Sequence, residues 1–260
     1  MLFSIFSGEG DIFTKITSFV FYLIAIVVSL SFHEFAHAYA AHRMGDDTAR
    51  NMGRMTLNPI AHIDPFGFLM LVFVGFGWAK PVPVNPRNYR NYRKGEFIVS
   101  FAGIFTNLII MTVSALILTV LAVCDLKAQG FVVTNASIFN MACCGDSILQ
   151  NYFGVSHAIP ERVYTLFMYF CYINAGLAIF NFIPVYPLDG SHIFDLIFGK
   201  LVGYKVISWM HKNGRFILYG ILILSYVLSR FAGFSPLSWA VTFVAEGVIK
   251  LFSLILGAIF

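Results

Sequence analysis

The chain has 260 residues, 58% of them hydrophobic and only 12% charged, with a mean hydropathy of +0.79. A soluble domain carries roughly 25% charged residues, so the composition excludes a water-soluble globule and points to an integral membrane protein. The net charge of +4 comes without a basic run interleaved with aromatics, which excludes a nucleic-acid surface and fits loop charge beside a membrane.

Five segments are expected to cross the bilayer as helices, each meeting or approaching the ~20 apolar residues a crossing needs. The first covers about 13–44. It is too long for a signal-peptide core and no small-residue cleavage pattern follows it, so retention is expected. Its last third carries His33-Glu34-Phe35-Ala36-His37. Helical positions four apart share a face, so His33 and His37 can ligate one metal together, as in H-E-x-x-H zinc sites. Glu34 lies about 100° further round, close enough to reach a water at that metal without ligating it. Ionisable side chains at membrane depth are costly and usually functional.

The next apolar run, 66–79, has about 14 residues, three glycines and a proline on each side, Pro65 and Pro81. As a helix it would reach only ~21 Å. A re-entrant or extended element packed against the bundle is therefore predicted, followed by extended chain where Pro81, Pro83 and Pro86 forbid a helix. His62 and Asp64, just before Pro65, read as turn-forming residues. The remaining spans are predicted at 97–123, 163–183 (closed by Pro184), 216–231 and 237–260. The last, with Glu246 and Lys250, either spans or lies at the interface.

Loop charges orient these spans. Segments 43–64, 80–94 and 184–215 hold most of the Lys and Arg, whereas 124–161, apart from an Arg at its junction with the next span, has only Lys127. The positive-inside rule places the first three in the cytoplasm and the last outside. The four cysteines show no C-x-x-C spacing, so they read as apolar residues, with a disulfide possible in the exofacial loop. No repeat or appended soluble domain is visible. One membrane-embedded domain is expected over 1–260, with a core at about 15–200 and C-terminal helices at about 214–260.

A catalytic zinc site takes three protein ligands and leaves one position open. The candidate third ligand is Asp189, in Asn181-Phe-Ile-Pro-Val-Tyr-Pro-Leu-Asp189-Gly190, where two prolines break the third span near the depth reached by His33. Asp189 could instead cap a helix starting near Ser191, and Asn181 could bridge backbone groups freed by Pro184.

The two motifs together resemble the site-2 protease family of intramembrane zinc metalloproteases. The tracts at 58–67 and 77–91 are similar to those of its small bacterial and archaeal branch without a PDZ domain, and the likeness covers about 15–200. The resemblance implies one Zn2+ per chain held by His33, His37 and Asp189, with Glu34 as catalytic acid/base and Asn181 contacting the substrate or the oxyanion. Ala102-Gly103-Ile104-Phe105-Thr106-Asn107 resembles the family's Ala-Gly-Pro-x-x-Asn stretch, which suggests a substrate contact for Asn107, although Ile104 replaces the proline. Ser191-His192 stands where many members have Gly-Arg. The likeness also implies that the 45–95 region forms a short re-entrant or β-hairpin membrane-associated element, which receives substrate as an added strand.

The expected protein is thus an all-α polytopic membrane zinc endopeptidase. It would sit multi-pass in the cell membrane with its site near the cytoplasmic face, cutting transmembrane protein substrates. A membrane zinc transporter and a non-catalytic scaffold are the alternatives. Few ionisable residues line the other spans, against the transporter, and the intact Glu34 argues against the scaffold. Substrate identity and oligomeric state are not legible.

Overall fold

A computed structural model describes residues 11–74, 77–144 and 160–260. Nine α-helices occur among them: α1 (Ile12–Met44), α2 (Thr48–Asn51), α3 (Pro65–Val74), α4 (Tyr92–Ala128), α5 (Asn135–Cys144), α6 (Glu161–Phe182), α7 (Asp189–Val202), α8 (Tyr204–Ala232) and α9 (Pro236–Ile259). Five of these, α1, α4, α6, α8 and α9, are long and apolar enough to cross a membrane. The expected all-α architecture with about five spans is therefore present, and α8 begins twelve residues before the expected 216.

α4 is the central element and packs against α1, α5, α6, α7 and α9. Met111, Ala115, Leu118 and Ala122 recur on it at intervals of three and four, and meet Tyr164, Cys171 and Ala175 of α6 and Ala245 and Ile249 of α9 in one cluster. Alanines on the facing stripes let the backbones approach closely, the usual basis of helix association where lipid supplies no hydrophobic driving force. α1 and α6 are joined by a hydrogen bond from Asn174 Nδ2 to Ser29 Oγ at 2.7 Å, both residues fully buried. α8 is mostly exposed on its long apolar face. It touches α7 and the 183–188 loop, where Leu218 packs on Val185 and Leu188.

The expectation of a re-entrant or β-hairpin element over 45–95 is corrected. No strand forms there among the described residues; α3 forms instead, and pairing is reduced to a single antiparallel bridge between Ile63 and Ala79. Residues 65–74 are apolar without period-two alternation, and Asp64 Oδ1 accepts from Gly67 N at 2.7 Å with Pro65 opening the first turn. That is a helix start. On the other side, Pro81 and Pro83 have no N–H to continue a ladder. Asp64 is thus turn-forming, as expected, and His62 ties its own loop through Nε2 to the Thr56 carbonyl at 2.8 Å.

The extended chain after Ala79 is held residue by residue. Lys80 N donates to the His62 carbonyl at 2.8 Å, and the Arg54 guanidinium donates to the Lys80 and Pro81 carbonyls at 2.9 and 3.3 Å. Its far end is fixed by Asp46, fully buried just past the left-handed Gly45 that ends α1. The Asp46 carboxylate accepts from Asn85 N at 2.6 Å, Asn88 Nδ2 at 2.8 Å, and both the amide and hydroxyl of Thr48. Burial alone would raise its pKa, but these donors outweigh burial and lower it. No disulfide joins any two of Cys124, Cys143 and Cys171; the Cys144 side chain and residues 145–159 lie outside the described residues.

Asp46→Asn turns one acceptor oxygen into a donor facing a donor. We expect a loss of ~1–3 kcal/mol, read as a lower melting temperature in detergent. An unchanged melting curve would show that this carboxylate does not anchor the extended segment.

Candidate metal centre

Four elements build the centre. α1 presents His33 and His37 on one face, and the two Nε2 atoms are 3.0 Å apart. α7 presents Asp189 from its first residue, with Oδ2 3.4 Å from His33 Nε2 and 3.3 Å from His37 Nε2. α4 supplies the far side, and the extended chain supplies a backbone donor. Both histidines are buried, at 5% and 8% exposure.

Each imidazole is oriented from behind by α4. His37 Nδ1 donates to the Val99 carbonyl at 2.7 Å; a carbonyl only accepts, so the proton is on Nδ1 and Nε2 carries a lone pair. His33 Nδ1 lies 3.0 Å from the Asn107 side-chain amide. The amide as placed turns Nδ2 to the ring and leaves its buried Oδ1 without a partner; with these two near-identical atoms exchanged, Asn107 Oδ1 accepts the Nδ1 proton and leaves His33 Nε2 as a second lone pair. Gly103 faces the pair directly: a Cβ there would lie 2.5 Å from His33 Cε1 and from His37 Nε2. Only glycine lets the α4 backbone come this close.

These residues fit a zinc ion. Ligands at 2.0–2.1 Å from a tetrahedral centre are about 3.3 Å from one another, and the three edges here are 3.0, 3.3 and 3.4 Å. Asp189 Oδ2 is buried and accepts no hydrogen bond, so its lone pairs have no other use. His33, His37 and Asp189 are the one group of three or more His, Cys, Asp or Glu among the described residues able to converge on an ion.

Asp189 is not an N-cap. It is the first helical residue, Leu188 precedes it as cap, and no side-chain capping bond forms. Gly190 does not make a left-handed turn either. It is buried, and a Cβ there would lie 2.4 Å from the Phe182 carbonyl and 2.6 Å from that of Ile183. Its role is close packing of α7 against the end of α6.

Glu34 is 8% exposed, and its Oε2 accepts from Val82 N at 2.8 Å. It stands outside the ligand group, as the H-E-x-x-H spacing requires. Asn107 is fully buried behind His33. Asn181 donates to the Leu177 carbonyl of its own helix at 3.0 Å and is not hydrogen-bonded to the three ligands. Gly103 and Val99 had no assigned role in the sequence. Gly103 was visible only as part of a motif, and a backbone carbonyl such as that of Val99 leaves no mark in residue identity.

The family model for peptidase family M50 matches residues 21–225. The chain belongs to peptidase family M50, the site-2 proteases. YwhC of Bacillus subtilis (strain 168), whose name proposes a zinc metalloprotease, is 33% identical over 210 residues, covering 79% of this chain and 83% of its own. Rip2 of Mycolicibacterium smegmatis (strain ATCC 700084 / mc(2)155), named likewise, is 30% identical over 97 residues, 35% of this chain and 37% of its own. No solved structure matches. As an M50 member with five apolar helices, the chain is a multi-pass membrane zinc metalloprotease.

Gly103→Ala should force α4 away from the imidazoles. We expect zinc content, measured by elemental analysis of the purified protein, to fall well below one equivalent, with helical circular dichroism retained. Full zinc occupancy in this variant would mean that α4 does not abut the ligands.

Proposed function

We propose that this M50 protease holds one zinc per chain on His33 Nε2, His37 Nε2 and Asp189, and cuts membrane-protein substrates near the cytoplasmic end of its bundle. The observation that carries the reading is the triangle of 3.0, 3.3 and 3.4 Å between two lone-pair nitrogens and a carboxylate oxygen with no other partner. The positive loops 43–64, 80–94 and 184–215 flank the ends of α1 and α6 nearest the centre, which supports the cytoplasmic placement. The single-domain reading rests on α4 packing against helices from both halves of the chain.

Zinc, when bound, supplies a Lewis acid that polarises a peptide carbonyl and makes water a better nucleophile near neutral pH. The protein's own groups do the rest. Glu34, steadied through Oε2 by Val82 N, keeps Oε1 for the proton: it accepts it from the attacking water and delivers it to the leaving amine. Val99 and Asn107 hold the imidazoles in the ligating tautomer; Asn107, buried behind His33, is a positioning residue in this reading, not a substrate contact. The substrate is an extended strand beside residues 80–85. Residues two apart in extended chain present backbone groups to the same side, so Val84 faces as Val82 does and is next in line to pair with it. Asn181, one residue before the Phe182 carbonyl that packs on Gly190, is proposed to touch the strand from the other side.

Glu34→Gln should keep its zinc and lose ~10²–10⁴-fold in hydrolysis of a labelled transmembrane substrate in detergent, while Asp189→Asn should lose zinc as well. Zinc flux into liposomes without cleavage would favour a transporter, and neither activity a scaffold.

A transmembrane substrate must unwind to expose its carbonyls. Each Ala→Gly replacement near the scissile bond lowers helix stability by ~1 kcal/mol, so cleavage should quicken about fivefold per replacement. Rates indifferent to such changes would show that unwinding is not limiting.

A further inference from the structure

α4 meets the centre once per turn along one stripe. Asn107 reaches His33, Gly103 makes room for both rings, and the Val99 carbonyl fixes His37. These positions, continued by Glu96, are spaced by four, four and three residues, so all four fall on one side of the helix. Glu96 is buried at 8% exposure, and its Oε1 lies 2.9 Å from His192 Nδ1. His192 follows Asp189 by three residues on α7, so the two share a side of that helix.

The three ligands differ in how they are held. His33 and His37 each have a partner on α4, whereas Asp189 Oδ2 has none. Asp189 also starts its helix directly after the non-helical 183–188 loop. Its carboxylate is therefore placed by the docking of α7 as a whole. α7 has an ion pair to α4 through His192, a bond from Arg93 Nη2 to the Leu196 carbonyl at 3.2 Å, and a tie to α8 between Asp195 and His211 at 2.6 Å. Of these, only the His192 pair lies within one turn of Asp189.

We propose that Glu96 and His192 are the positioning pair of the third ligand: their ion pair sets the rotation and height of α7 against α4, and so brings the Asp189 carboxylate opposite the two imidazoles. In this way one helix orients all three ligands. The inference rests on the reading of His33, His37 and Asp189 as the zinc site. A charged pair is needed because a carboxylate buried beside the bundle is costly without a partner, and the same cost makes its geometry strict.

The test is zinc affinity of the full-length protein in detergent, by chelator competition, alongside the melting temperature of the metal-free form. Glu96→Gln and His192→Leu should each weaken zinc about 10–100-fold, and the double variant should be no weaker than either single one. His192→Arg, which keeps a cation within reach of Glu96, should recover most of the affinity. Asp195→Asn, which loosens α7 from α8 only, should leave zinc affinity unchanged. Zinc affinity within about twofold of wild type in both single variants, whatever their melting temperatures, overturns the proposal. So does equal weakening by Asp195→Asn, which would mean that any loosening of α7 suffices. A wild-type protein that binds no zinc overturns the metal reading itself, a result distinct from either.

Discussion

Three ligand atoms held 3.0–3.4 Å apart inside an apolar bundle form the constraint on which the rest of the structure turns. Two nitrogen lone pairs and a carboxylate oxygen repel one another. Such a cluster persists only if its members are oriented from behind and an ion satisfies them in front. α4 meets the first requirement. Its glycine admits the rings, its Val99 carbonyl and Asn107 amide select the tautomers, and its apolar stripe binds α6 and α9. The helix that organises the core therefore also organises the chemistry.

Glu34, the proposed acid/base, is governed by a different part of the chain. Glu34 is anchored by Val82, and Val82 belongs to an extended segment that makes no sheet. That segment is straight because prolines prevent helix, and it stays in place because Arg54, His62 and Asp46 bond its backbone. The element that positions Glu34 is also the backbone nearest to it. A strand added there would be placed by the same contacts that place Glu34.

The peripheral helices are held differently. α8 buries little beyond Gly214 and Leu218. A Cβ on Gly214 would lie 2.4 Å from the Tyr186 carbonyl, so α8 meets the loop leading to Asp189 backbone to backbone. The rest of its apolar surface is left to lipid, as the long hydrophobic run demands.

The residues by themselves determined the five spans, the H-E-x-x-H pair and the distant Asp189, because length, hydropathy and i,i+4 spacing are local properties. They also determined that Glu34 would stand apart from the face shared by His33 and His37, since the helix period sets its angle. Only the tertiary structure decided what surrounds those groups. The 45–95 region became a short helix with a single bridge because Asp64 caps Pro65 and because Pro81 and Pro83 cannot extend a ladder, a balance of two local signals that hydropathy does not resolve. The duties of Gly103, Gly190 and Val99 depend on close approach between helices far apart in the chain, and neither a missing Cβ nor a backbone carbonyl says in sequence what will lie against it. The pairing of Glu96 with His192 likewise comes into being only when α7 folds back onto α4.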